Sequence, residues 1–248
     1  MVFRSGNPAL RPEQFQPGMG VERMSIEGTI SKTLALLGLV TISALVAYTA
    51  VAANNFWAFP LMIGGGIGGF IMVLVIAFSR PAQPQILMSI YAIIEGLFVG
   101  AMSYVVENWY QGETEGVVLQ AIVATMAVFI LMLTLYRYRV IQPTEKFVLA
   151  VVSVAGAIML VYLLNFVMYL FGSQIPFLHS DGPIGVVISV VFCAVAALFL
   201  IIDFGVIENG VKNGAPKNME WYGAFGLVIT LVWLYIEMLK LIAKLRSD

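Results

Sequence analysis

Four charged residues stand inside otherwise apolar stretches of this sequence: Glu95 in YAIIEGLFVGA, Asp203 in AALFLIIDFGVIENG, and Glu237 with Lys240 in GLVITLVWLYIEMLKLI. A charge at membrane depth is expensive, so an intramembrane carboxylate is a functional-site candidate by default. Asp203 and Glu237 lead, because they fall on consecutive apolar runs. If the two meet in a low dielectric, they share a proton and titrate as a coupled pair. Deprotonated, they repel each other and attract a divalent cation or an arginine, and carboxylate oxygens suit Ca²⁺. Arg80 is the natural arginine, although an ordinary interfacial anchor explains it as well. Each acid also has a plainer reading. Lys240, at i+3 on the same helical face, neutralises Glu237 locally. Asp203 snorkels to the interface or caps a loop. Glu95 is either a third acidic group or a structural polar contact.

Other chemistries have little footing. The one cysteine, Cys193, excludes intrachain disulfides and thiolate metal clusters. The one histidine, His179, lies in an expected loop, and no HExxH or GxSxG occurs. An enzyme is therefore not expected, and neither is a cofactor. With a formal net charge of −1, no global field points to nucleic acid.

Of 248 residues, 60% are hydrophobic and 11% charged, which makes this a polytopic membrane protein. Residues 1–28 are polar and broken by Pro8, Pro12 and Pro17, and read as a flexible tail before a membrane domain spanning 29–248. Seven apolar runs follow, at about 30–51, 56–78, 85–106, 117–135, 147–171, 185–207 and 219–243. Each is long enough to cross a bilayer, and in lipid only helices satisfy the backbone of such segments. Small residues four apart, Gly65 with Gly69 and Gly96 with Gly100, read as close-packing positions, as does the stripe of Gly185, Ser189 and Ala196 on the face of Asp203.

The tail, the first-helix start and alternate loops carry ten cations, from Arg4 to Lys217, against none in the other three loops. The positive-inside rule then puts the N-terminus in the cytoplasm. Seven crossings leave Lys240, Lys244 and Arg246 toward the wrong side, so the last helix is either tolerated there or stops short; a full crossing is the favoured reading. Whether Asp203 and Glu237 share a depth depends on the turn NGAPKN, centred near Ala215. A match requires residues 219–225 to run along the interface, with Glu220 and Trp221 at headgroup level and a bend at Gly223 and Gly226.

The order of motifs resembles the Bax inhibitor (transmembrane Bax inhibitor motif) family, most closely a bacterial branch, over about residues 30–245. LIIDFGVIENG looks like the family's helix-6 aspartate motif and LVWLYIEMLKLI like its helix-7 Leu-Tyr-Leu-Asp segment. FSRPAQ and YAIIEGLFVGA fall where the family has a basic cluster and a small-residue helix. The resemblance implies an all-α bundle of seven transmembrane helices, six around a central C-terminal one. It also implies a pH-sensitive calcium leak with an acidic pair and an arginine latch. Asp203 and Glu237 match the pair and Arg80 the latch. Glu replaces Asp at 237, the usual tyrosine beside Asp203 is missing, and the loop between the last two helices is longer by roughly ten residues.

The resulting expectation is a calcium leak channel or exchanger-like conduit of the bacterial inner membrane, acting as a monomer in the lipid bilayer. Calcium is its cargo, with Asp203 and Glu237 as pH sensor and transient Ca²⁺ ligands. The rival readings are a non-transporting regulator that binds a membrane protease or another membrane protein, and a proton-coupled transporter of another substrate.

Overall fold

The computed structural model describes residues 22–79, 81, 83–109, 116–173, 175, 178 and 182–246. Among these, seven helices are long and apolar enough to cross a membrane. They are α1 (Ile26–Ala53), α2 (Ala58–Ser79), α3 (Pro84–Trp109), α4 (Val117–Arg137), α5 (Glu145–Leu170), α6 (Pro183–Lys212) and α7 (Met219–Arg246). One helix answers each expected span. Arg80 and His179, like residues 1–21, lie outside the described residues.

Local chemistry sets the helix ends. Ser25 caps α1, its Oγ accepting the Gly28 N–H at 2.9 Å, so the helix starts inside the stretch read as tail. Thr144 does the same for α5 through the Phe147 N–H at 3.3 Å. The end of α6 is a Schellman turn: Gly214 takes a left-handed φ of 67°, and the N–H groups of Gly214 and Ala215 donate to Val211 O at 3.1 Å and Gly210 O at 3.0 Å. Pro216 follows, and α7 begins three residues later. It then runs as one continuous helix from Met219 to Arg246. The interfacial run and bend expected over 219–225 do not form, because Ala224 and Phe225 are buried in the bundle and Glu220 is held there by α1.

The backbones of α1, α3, α4 and α6 close on α7, while α2 lies on α3 and α5 on α6. α7 is accordingly the most buried helix, with half of its most apolar stretch covered, against 11% for α5. The paired small residues act as packing positions. A Cβ on Gly96 would overlap Ser43 Oγ and Val40 O, and one on Gly100 would overlap Ala44 O, so these two glycines let α3 press on α1. A Cβ on Gly65 would stand 2.9 Å from that of Phe98, where α2 meets α3. Gly185, Ser189 and Ala196 are buried along α6.

Gly100→Val should lower the thermal unfolding midpoint in detergent, since overpacking a tight contact costs about 1–3 kcal/mol or more. Gly156→Ala, where the new methyl meets open space, should leave the midpoint unchanged or slightly raised.

Candidate functional site

The α6–α7 hairpin carries most of the polar chemistry. Thr230 Oγ1 donates to Asp203 Oδ2 at 2.6 Å across 27 residues, and Lys244 Nζ donates to Ser189 Oγ at 3.1 Å across 55. Both spans are centred on the Pro216–Lys217 bond, so one register holds along the whole pair. In that register the residue facing Asp203 is Thr230, and the residue facing Glu237 is Ala196. Glu237 lies seven residues beyond Thr230, about 10 Å further along α7 at 1.5 Å per residue. Asp203 and Glu237 therefore share one seam but not one depth, and the single proton-sharing pair expected from the sequence does not form. Their carboxylates answer to different partners.

Asp203 is half-buried, nine residues before the end of α6, which places it about 14 Å along the helix from Lys212. Its hydrogen bond from Thr230 comes from a neutral hydroxyl. A Cβ on Gly226 would stand 3.7 Å from its Oδ1, so α7 presents only a glycine there. Glu237, 2% exposed, is enclosed differently. Tyr162 of α5 donates to both of its oxygens, at 2.9 and 3.1 Å, and Lys240 donates to Oε1 at 2.9 Å. Lys240 also reaches the Tyr162 hydroxyl at 2.6 Å and lies 4.4 Å from the ring centre. The local neutralisation foreseen from spacing is thus present, with a tyrosine added from a helix that holds no charge in its core.

Glu95 stands apart. It lies on α3 against Gly69 of α2, where an added Cβ would come 2.5 Å from its Oε2. It makes no ion pair among the described residues. Described groups of three or more His, Cys, Asp or Glu that would hold a metal ion are also absent. Ca²⁺ requires six to eight oxygens. Asp203 with Thr230 offers only part of such a shell. A cavity of about 250 Å³ lies between α1, α3, α4 and α7, lined by groups such as Val40, Ile122 and Leu231. Neither Asp203 nor Glu237 borders it, and it is almost wholly apolar, so it carries no argument about ions.

The family model described as Bax inhibitor 1 like matches residues 7–247. The chain belongs to this family. A comparison with curated proteins returned no match.

Two further polar centres of this Bax inhibitor 1 like protein lie where the sequence reading puts exposed charge. That reading sets Glu220 at headgroup level and Lys244 among the cations ending the last helix; both are buried. Glu220, 1% exposed, accepts the backbone N–H and the hydroxyl of Ser25, both at 2.9 Å, and forms an ion pair with Lys32. Gly28 makes room, since a Cβ there would overlap the Glu220 carboxylate. Lys32 lies 5.5 Å from the centre of the Trp221 ring. The clasp ties the start of α7 to the start of α1. It is reinforced by the strap of residues 22–24, where Met24 N–H donates to Ala215 O at 2.7 Å and Lys217 N–H donates to Glu22 O at 2.9 Å. At the other end of α7, Lys244 is 3% exposed and donates to Leu178 O at 2.9 Å and Gly185 O at 3.2 Å, besides Ser189. Its neighbours at the start of α6 place the two ends of α7 at opposite ends of the bundle.

Removing one partner of a buried ion pair costs about 3–5 kcal/mol. Lys32 keeps a fifth of its side chain exposed, so Glu220→Ala should fall near the low end of that range. It should appear as a lower unfolding midpoint in detergent, with Lys212→Ala, on an exposed i,i+4 pair, changing little.

Proposed function

We propose that the protein is a pH-sensitive calcium leak of the bacterial inner membrane, with its N-terminus in the cytoplasm and the ion passing along the α6–α7 seam. One observation carries the reading. Of the four carboxylates on these two helices, Glu208, Glu220 and Glu237 each pair with a lysine, whereas Asp203 has only the Thr230 hydroxyl among the described residues. Its charge is uncompensated there at membrane depth, the condition under which a carboxylate marks an ion or proton path. Family membership supports the same reading.

On this reading Asp203 and Glu237 are successive stations about 10 Å apart rather than two halves of one site. Conduction requires sites that attract an ion without trapping it, and spaced single carboxylates meet that condition better than a closed cage. Calcium is cargo, the chain works as a monomer without a cofactor, and no enzymatic step is involved. Arg80, which follows α2 in the chain and matches the family's latch, is the cation that competes with calcium for Asp203. Protonation removes the charge of Asp203, so acid reduces flux.

Calcium flux into proteoliposomes should fall as pH drops from 8 to 6. Asp203→Asn should give a low flux that no longer depends on pH. Unchanged pH dependence in Asp203→Asn would sink the proposal. Flux lost in Thr230→Val but kept in Thr230→Ser would show that the hydroxyl works with the acid.

A further inference from the structure

We infer that Lys240 is a tethered cation that plugs the Glu237 station, with Tyr162 holding the plug in place. The inference rests on the reading of Asp203 and Glu237 as stations on one seam. Glu237 is almost fully enclosed, and its hydrogen bonds come from two groups, the Lys240 ammonium and the Tyr162 hydroxyl. Those groups also bond each other, so the three side chains form a closed triangle with no net formal charge. An ammonium at 2.9 Å from a carboxylate oxygen stands where a permeating cation would stand. While it is there, an arriving divalent ion meets a neutral cluster. When it leaves, the ion meets a full negative charge in a low dielectric.

Four features together favour a plug over a purely structural ion pair. Lys240 is 22% exposed against 2% for Glu237, so the cation borders the surface while the anion does not. The lysine is a point charge on a flexible four-carbon stem, able to swing away without moving the helix. The position of Glu237 on the hairpin register then matters, because the small, buried Ala196 stands at its depth on α6. Tyr162, packed edge-on against Phe192 with ring centres 5.5 Å apart, is anchored from a separate helix. It sets where the ammonium rests.

The test uses the full chain in detergent with Tb³⁺, a calcium mimic whose emission is sensitised by a nearby aromatic ring such as that of Tyr162. Lys240→Gln should show saturable Tb³⁺ emission, about tenfold above the parent, as expected where a buried negative charge is uncovered. Lys240→Gln with Glu237→Gln should return to the parent signal, and Lys240→Arg, which keeps a cation, should match the parent. In vesicles the Lys240→Gln flux should rise, and added methylammonium should lower it again by refilling the vacated position. Emission that stays at the parent level in a monodisperse Lys240→Gln protein, or that survives Glu237→Gln, overturns the inference. Should Lys240→Gln fail to fold, Lys240→Met decides: it removes the ammonium while filling the same space and keeping the Tyr162 ring as antenna, and raised emission supports the plug whereas parent-level emission overturns it. The emission arms need no transport, so a parent protein that passes no calcium would defeat the calcium-leak reading without deciding the plug.

Discussion

The Schellman turn that closes α6 at Gly214 is the constraint on which the functional geometry depends. It ends α6 abruptly, and Pro216 cannot extend that helix. With α7 starting almost at once, two of the most buried helices of the molecule pair as a tight antiparallel hairpin centred on the Pro216–Lys217 bond. Every cross-helix partner then follows. Asp203 meets Thr230 and Ser189 meets Lys244, while Glu237 stands at the depth of the small, buried Ala196. An acid placed seven residues further along a helix cannot be brought to the depth of Asp203 without shifting the whole register. Such a shift would break the Lys244 contacts at one end and the Glu220 clasp at the other.

The same hairpin shows how a bilayer protein distributes the cost of charge. Glu220 is neutralised by Lys32 and further satisfied by Ser25, Glu237 by Lys240 and Tyr162, and Lys244 by carbonyl and hydroxyl oxygens near the start of α6. These centres are expensive to disrupt, because a buried charge left alone loses both hydration and partner. Asp203 departs from the pattern. A hydroxyl dipole stabilises an anion far less than an ammonium does, and Gly226 beside it contributes no side chain at all. The position is thus the one on this hairpin where an outside cation has something to gain.

Much of the fold was legible because its signals are long and redundant. Seven apolar runs of bilayer length leave only helices as an answer, and the glycines at 65, 96 and 100 stand where helices touch closely. The site was legible in part. Asp203 stood out as a lone acid in an apolar run, and the i+3 spacing of Glu237 and Lys240 pointed to their ion pair. The partners were harder to find. Thr230 hides among apolar residues because a threonine costs little in a helix of the membrane, and only the turn centre betrays it: reflecting Asp203 about Pro216 and Lys217 lands on it. The interfacial bend expected over residues 219–225 obscured that reflection. Tyr162 gave no spacing signal, since its helix is apolar on nearly every side and its contact with Glu237 spans 75 residues. Glu220, at the very start of the last apolar run, looked like a headgroup residue because hydropathy read along one chain cannot show that α1 begins beside it.

The pairing of Lys240 and the burial of Lys244 also bear on orientation. Counted as loop charges, Lys240 and Lys244 oppose the cation asymmetry of the other connections. In the folded chain neither is a loop charge: Lys240 is paired with Glu237, and Lys244 is enclosed at the start of α6. The positive-inside rule concerns cations that must stay on one side of the bilayer, and a lysine whose charge is absorbed within the bundle weighs little in it. A full crossing by α7 is therefore compatible with cationic loops gathered at the opposite end, where Lys32, Lys212 and Lys217 stand. The two lysines that seemed to contradict a seven-helix topology owe their placement to how that topology packs its last helix.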